Sequence, residues 1–427
     1  MVPPPRGTGA RLLDSIGSAS SDREEGPGLN PPARKAARSV LRGVAAVALP
    51  LLSWHLFTRV WDFPEPAPFH GPSLYNPYGG ADFGPGSFVR ANFHAHARSW
   101  GGLTAGEGIA ARELRKAYAD LGYDVAQVSD YMAIRPRGEG AGAWIPTYEH
   151  GYGITKTHHL CIGASRVDWT EFPLFQTVHH KQTVIDRLGR SAEAVAVVHP
   201  HHWGYSLEDL RLLSGYQLLE VASSLPGDAA PSWDAALSAG HPVFLLADDD
   251  SHGLEDGERF GRCATLVGAP ASDGAGIVAA LGAGRAYGIK VSYEEGETPA
   301  ARLARLRNLS RPAGFAVDGE TIRVALTAPA PEIRFVGQGG RELGRAVEAA
   351  RAEYRLAAGD SYVRTEIRFP GETRIYLNPV FRHSGTDPVG NRVPRERVWP
   401  TRLLRTAAIL SGLVTVWLLA LAVGGRT

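Results

Sequence analysis

Phe88-Val89-Arg90-Ala91-Asn92-Phe93-His94-Ala95-His96 is a strand-like apolar run that ends in two imidazoles. The same event recurs three times. Val125-Ala126-Gln127-Val128 runs into Ser129-Asp130, Val195-Ala196-Val197-Val198 into His199-Pro200, and Val243-Phe244-Leu245-Leu246-Ala247 into Asp248-Asp249-Asp250-Ser251-His252. Parallel strands linked by helices place their C-terminal ends on one face, so four such endings imply ligands gathered at one end of a barrel or sheet. His94 and His96 stand two apart on a strand and face the same way, and Asp250 and His252 repeat the spacing. Taken singly, each piece reads as a surface pair, a solvated acidic loop or a structural histidine. Taken together, imidazoles and carboxylates form a ligand set suited to Zn, Mn or Fe.

Outward from these runs the chain alternates strand-like and helix-like segments from Ser87 to about Lys290, the pattern of βαβ units. Residues 105–121 carry a helical period closed by Gly122, and 207–214, 231–239 and 274–284 are further helices. Glu149 and a histidine of His158-His159 can meet if 144–150 and 158–163 are neighbouring strands; periodicity leaves open which histidine points inward. Trp100, Trp144 and Trp203 could wall a pocket, and Lys156 could meet an anionic substrate. From about Pro299 apolar and polar residues alternate between turns, the pattern of antiparallel strands with one solvated face. That predicts a small all-β, sandwich-like accessory domain over 299–390.

The chain has 427 residues, a formal net charge of +1 and two cysteines, Cys161 and Cys263. The charge leaves no basic footprint for nucleic acid, and two cysteines make neither a disulfide scaffold nor a thiolate zinc site. The ends are different. Residues 1–42 read as a disordered basic tail, 43–63 as a membrane anchor and 64–87 as a linker. The uncharged stretch 406–425 has about the 20 residues that a bilayer-crossing helix needs. Arg34, Lys35, Arg38 and Arg42 argue for a cytoplasmic N-terminus and an extracytoplasmic central domain, whereas the arginines at 392–405 argue the opposite; the first helix is given precedence.

As a set, these residues resemble the polymerase and histidinol phosphatase (PHP) superfamily. The resemblance spans about 88–290 and rests on Asn92-Phe93-His94-Ala95-His96, Ser129-Asp130-Tyr131, Glu149, His159-Leu160-Cys161-Ile162-Gly163, Val198-His199-Pro200 and Asp250-Ser251-His252, with 215–221 and 284–287 as framework. Tyr362-Val363-Arg364 and Asn378-Pro379 in the β-rich part look like its carbamate-hydrolase-like branch. The resemblance implies a distorted (β/α)7 barrel followed by the small β domain. One metal would be held by His94, His96, Glu149 and Asp250, and a second, bridged by Glu149, by His159 and His199. Of a third site only His252 remains, because the chain has Tyr131 where that family has a histidine. Asp130 and Tyr131 would then stand behind the ligands, while Asp250 and His252 would be the catalytic pair.

The expected activity is therefore that of a membrane-anchored, two-metal hydrolase. It would attack a small phosphorylated ester with a metal-activated hydroxide, in the manner of two-metal phosphoryl transfer. Carboxylic-ester, amide or carbamate hydrolysis on the same site is the second reading, and a membrane-tethered metal-binding module without turnover is the third. Nucleic acid is not an expected partner.

Overall fold

The computed structural model describes residues 31–100, 108–138, 142–254, 260–390 and 392–424. It divides into two compact units, residues 54–408 and a second built from the two chain ends, up to 53 and from 409. In chain order the elements are α1 (Pro31–Leu56), β1 (Trp61–Asp62), β2 (Ser73–Tyr75), β3 (Val89–Asn92), α2 (Ala111–Asp120), β4 (Val125–Ala126), β5 (Thr147–His150), β6 (His159–Ile162) and α3 (Val178–Leu188). There follow β7 (Ala194–Val197), α4 (Leu207–Leu212), β8 (Leu218–Ala222), α5 (Ala230–Ser238), β9 (Phe244–Ala247), β10 (Cys263–Val267), α6 (Gly274–Gly282), β11 (Ala286–Lys290) and α7 (Pro299–Asn308). The C-terminal part holds β12 (Pro312–Asp318), β13 (Thr321–Gly337), β14 (Arg341–Arg355), β15 (Tyr362–Arg368), β16 (Arg374–His383), β17 (Arg395–Glu396) and α8 (Val398–Gly424).

The architecture is mixed α/β. A curled five-stranded sheet has the order β5-β6-β7-β8-β9, with β7, β8 and β9 mutually parallel and β6 antiparallel to both its neighbours. The strands β7, β8 and β9 are buried throughout and read as near-continuous Val, Leu and Ala, as strands covered on both faces must. The parallel pair β3 and β4 belongs to a ten-stranded sheet. Two parallel bridges connect the sheets, Tyr131 to Glu149 and Ala95 to Ser251. Neighbour by neighbour, β3 to β9 therefore return on themselves, six strands pointing one way and β6 the other.

The strands expected to form a separate sandwich instead continue the second sheet, in the order β12-β13-β15-β16-β11-β10-β3-β4. Alternation along a strand reports one buried face, not which edge pairs with what. The edge is decided by β16, whose Tyr376 and Leu377 register with Gly288 and Tyr287 of β11. Asn378 locks that position. Its Oδ1 accepts the Leu245 N–H at 2.8 Å, and its Nδ2 donates to the carbonyls of Gly284 and Ala286 at 2.9 Å each. The stretch expected as a linker, 64–87, is packed as well: β2 pairs with β16, and the Tyr78 hydroxyl donates to Ala286 O at 2.8 Å.

Gly284 follows α6 with φ +68°, and an added Cβ would lie 2.4 Å from the Phe244 ring. Gly284→Ala combines an unfavourable φ with overpacking, so it should lower unfolding free energy by about 1–3 kcal/mol. Denaturant titration of the full chain in detergent reads this directly.

Two helices are long and apolar enough to cross a membrane, over Ser39–Leu56 and Val398–Leu421. In the unit formed by the ends, Ser411 Oγ donates to Leu49 O at 3.3 Å. Residues 31–42, expected to be disordered, are the first turns of α1. Pro is well placed at a helix start, and the Ala, Arg and Lys that follow are good helix formers. The anchor stops at Leu56, short of the expected 63, and Trp61–Asp62 pairs with β17. Residues 1–30 of the expected tail lie outside the described residues. Cys161 and Cys263 are buried and free.

Candidate metal centre

The ligand atoms converge at the end of the strand ring where β3, β5, β7 and β9 finish. His94 Nε2 lies 3.4 Å from Glu149 Oε2 and 3.2 Å from Asp250 Oδ1; His96 Nε2 lies 3.0 and 3.3 Å from the same two oxygens. All four atoms are buried and none has a hydrogen-bond partner among the described residues. Buried polar atoms are almost always paired, and four that are left without partners and face one another could together hold a cation. Their spacing agrees: metal–nitrogen bonds of about 2.0–2.1 Å at tetrahedral angles set ligand atoms roughly 3.3–3.4 Å apart. The other oxygen of the same carboxylate, Glu149 Oε1, faces His158 Nδ1 at 2.8 Å and His199 Nε2 at 3.3 Å. The two groups, His94–His96–Glu149–Asp250 and Glu149–His158–His199, could each hold a metal ion and share one carboxylate.

The second group contains His158, not His159. In the β5–β6 ladder His150 stands opposite His159 and Glu149 opposite Leu160. Directly opposed residues share a face and successive residues alternate, so His159 is on the face away from Glu149 while His158 is on the near one. Because β6 runs against the other strands, its beginning, not its end, lies at the ligand cluster. His159 is spent elsewhere, its Nε2 2.7 Å from the Tyr205 hydroxyl. Burial, with His150 and His158 nearby, pushes its pKa well below the usual imidazole range. His158→Ala should therefore remove about one metal ion per chain, the count expected if one of two half-sites is lost. His159→Ala should leave metal content unchanged, and metal analysis of both variants after dialysis separates them.

The remaining residues hold this arrangement. Glu220, set in the buried strand Leu-Leu-Glu-Val-Ala, was legible only as framework, yet its Oε1 is 2.8 Å from His94 Nδ1 and its Oε2 accepts the His199 N–H at 2.8 Å. A proton between Glu220 and Nδ1 leaves the Nε2 lone pair for a cation, the usual arrangement behind a ligating histidine. Glu220→Gln is expected to weaken metal affinity by about 10–100-fold, read by competition with a chelator of known affinity. The sequence signal was a lone carboxylate in an otherwise apolar strand.

The three successive aspartates divide their work. Asp248 Oδ1 accepts the Phe93 N–H at 2.9 Å and ties β9 to β3; Asp249 accepts from the backbone of Gly261, Arg262 and Cys263; Asp250 alone reaches the ligand group. Burial raises the Asp248 carboxyl, and it raises Asp249 to about 6. Burial would raise Asp250 and Glu149 too, but the imidazoles around them, His94 for Asp250 and His158 and His94 for Glu149, outweigh it and hold both well below the carboxylate range. Both carboxylates are thereby kept anionic, the form that binds a cation.

Asp130 accepts the Ala97 N–H at 2.8 Å and pairs with Arg135, fixing the chain just past His96. The Tyr131 ring stacks on His96 at 4.6 Å, and His252 stacks with His96 at 4.5 Å. His252 Nε2 is 3.4 Å from Asp250 Oδ1, outside the two groups but beside them. Five of the six described non-glycine residues with positive φ are Trp100, Met132, Lys156, His199 and Asp250, all at or beside the cluster. Such backbone costs on the order of 1–3 kcal/mol each and persists where packing enforces it, commonly at functional sites.

Beside His158 opens a cavity of about 450 Å³, walled chiefly by Trp100, Tyr131, Met132, Tyr152 and Trp169, with Lys156 at its edge. Of the tryptophans singled out by sequence, Trp100 lines it, Trp203 lies under the Lys156 ammonium at 4.3 Å, and Trp144 donates instead to Arg135 O. A larger hollow, about 720 Å³, lies over β12–β14 and is lined by none of the ligand residues. No family model and no curated protein matches this chain.

Proposed function

We propose that the chain is a membrane-anchored, metal-dependent hydrolase of the PHP type, acting first on phosphate esters. The observation that carries this reading is Glu149: one buried carboxylate whose two oxygens each face a separate set of buried imidazoles. A carboxylate shared by two cation positions would hold them close together, the arrangement on which two-metal ester hydrolysis rests. The closure of β3–β9 into a ring supports the seven-stranded barrel of that superfamily. In this reading His94, His96, Glu149 and Asp250 hold one divalent ion, and Glu149, His158 and His199 hold another; Zn, Mn and Fe all suit the donors. The Tyr131 ring covers His96 where a third site would need an imidazole.

Bound divalent ions supply an activated water and charge neutralisation on the substrate oxygens. The protein supplies the rest. Glu220 fixes the His94 tautomer and orients the backbone of His199. Asp250 is held anionic as a ligand. His252, partly exposed beside it, is placed to receive or return a proton at a substrate oxygen. The cavity beside His158 takes the substrate body and keeps water from it.

The test is metal content and turnover of the full chain in detergent. About two tightly held ions, with phosphate-ester hydrolysis that chelation removes and Mn or Zn restores, is the expected result. Metal retained without turnover on any ester would replace this reading with that of a binding module. The cavity favours carboxylic-ester or carbamate hydrolysis as a second reading, because its walls are apolar and Lys156 is the one cation among its described lining residues. The membrane reading rests on the two apolar helices; the basic flank before the first favours a hydrolase domain outside the cytoplasm, against the arginines at 392–405, which argue the opposite orientation.

A further inference from the structure

Exposed apolar side chains flank the cavity beside His158, and a series of contacts connects its lining to the residues where the chain leaves its first apolar helix. Trp54, at the end of the candidate span, donates its indole N–H to Glu171 O at 2.8 Å, and His55 Nε2 accepts the Leu174 N–H at 3.1 Å. The His55 ring stacks on Phe175 at 4.6 Å. Ile154 N–H donates to Pro173 O at 2.8 Å, which lays the 152–154 turn against the same segment. Tyr152 donates its hydroxyl to Trp169 O at 2.9 Å, and the Trp169 ring meets Trp100 edge-on at 5.9 Å. Within residues 54–408, Trp54 and His55 are thus linked to the cavity lining through the 169–175 segment and the 152–154 turn.

Those side chains are not packed away. Ile154 is 74% exposed, Trp169 54%, Phe175 50% and Phe57 54%. Exposed apolar side chains gathered on a segment and a turn bonded to each other mark a place meant to be covered, and tryptophans beside a span belong at the membrane–water boundary. What covers the patch follows from chain connectivity: Trp54 and His55 are the residues at which the chain leaves its candidate span, so the segment bonded to them stays close to that exit point.

We propose that the cavity takes the apolar chain of a membrane-resident amphiphile, delivered laterally from the bilayer across Ile154 and Phe175, with its ester head at the Glu149–His158 end. The substrate class rests on the hydrolase reading; the lipid-binding cavity does not. For a phosphate monoester, water oxygen joins phosphorus, the bond from phosphorus to the alkyl oxygen breaks, and the departing oxygen takes a proton to leave as the alcohol.

The experiment has two arms, both on the full chain in phosphatidylcholine vesicles. In the first, a phosphatidylcholine with a diazirine in its acyl chain is irradiated and adducts are mapped. Adducts at 152–154 and 169–175 beside those on the spans are expected, reduced severalfold in Trp169→Ser; adducts confined to the spans would overturn the proposal. In the second, ethyl and dodecyl phosphate are compared as substrates. The dodecyl ester should show at least tenfold higher kcat/KM, and Trp169→Ser, which keeps both spans and so the same partitioning, should lose most of that preference. Equal rates on the two esters, or a preference untouched by Trp169→Ser, would refute chain binding. Adducts at the cavity without hydrolysis of either ester would support the cavity's ligand and sink the hydrolase reading alone.

Discussion

Glu149→Gln should abolish retention of both metal ions and lower turnover on the order of a thousandfold, about 4 kcal/mol at 1.36 kcal/mol per factor of ten. The amide has one acceptor oxygen and a donor nitrogen, so at least one of the two groups loses its carboxylate ligand outright. The charge that offsets two cations disappears as well. The side chain is fully buried, with His94 and His96 3.4 and 3.0 Å from one oxygen and His158 and His199 2.8 and 3.3 Å from the other. Water cannot replace it. Metal analysis after dialysis, with near-ultraviolet circular dichroism as the folding control, tests this. A folded variant that still held two ions would show that the shared carboxylate is not the organising ligand.

The largest expected stability loss lies away from the metal groups, at Asp234. Arg364 of β15 grips Asp234 of α5 with Nε and Nη2, each at 2.8 Å, and the Tyr362 hydroxyl donates to the same carboxylate at 2.9 Å. Both charged side chains are almost wholly buried. Burial would lower the arginine pKa, and Asp234 more than reverses this, keeping the guanidinium charged. Asp234→Ala leaves a buried guanidinium short of its main partner and should cost about 3–5 kcal/mol, whereas Asp234→Leu with Arg364→Met, apolar on both sides, should recover most of it. Urea unfolding of the full chain in detergent gives the comparison. A loss under about 1 kcal/mol for Asp234→Ala, the range of exposed pairs, would mean that solvent reaches the guanidinium. This contact joins a helix of the α/β part to the C-terminal strands, at the Tyr362-Val363-Arg364 that the family resemblance had singled out.

Much of the site was legible because its signals are local. An apolar run long enough for a strand and a titratable side chain at its end lie within a few residues of each other, so His94, His96, His199 and Asp250 could be named together. Glu149 could be named from the two strand-like pieces 144–150 and 158–163, able to meet as neighbours, and as a ligand through the family resemblance. The two apolar helices were legible for the same reason, since length and lack of charge are properties of one segment. Helix limits were read too long where the period runs past the last packed turn: 207–214 is observed as Leu207–Leu212 and 274–284 as Gly274–Gly282. The helices Val178–Leu188 and Pro299–Asn308 were not anticipated. In the first, four polar residues, His180, Lys181, Gln182 and Thr183, are buried by partners distant in sequence, which blurs the apolar stripe.

Composition and local period were therefore enough for the alternating α/β character of the chain, its apolar ends and most of the residues able to meet a metal. Pairing between distant segments decided the rest. His158 displaces His159 because β6 runs antiparallel to its neighbours and its register with β5 puts Glu149 opposite Leu160. Glu220 becomes a partner of His94 because only β9 separates β8 from β3 and its carboxylate turns toward His94. The C-terminal strands join the α/β sheet because Asn378 bonds to β9 and to the edge of β11. Strand direction, register and edge choice are properties of pairs of segments, set by hydrogen bonds and burial across tens to hundreds of residues, and a pattern read along one segment does not contain them.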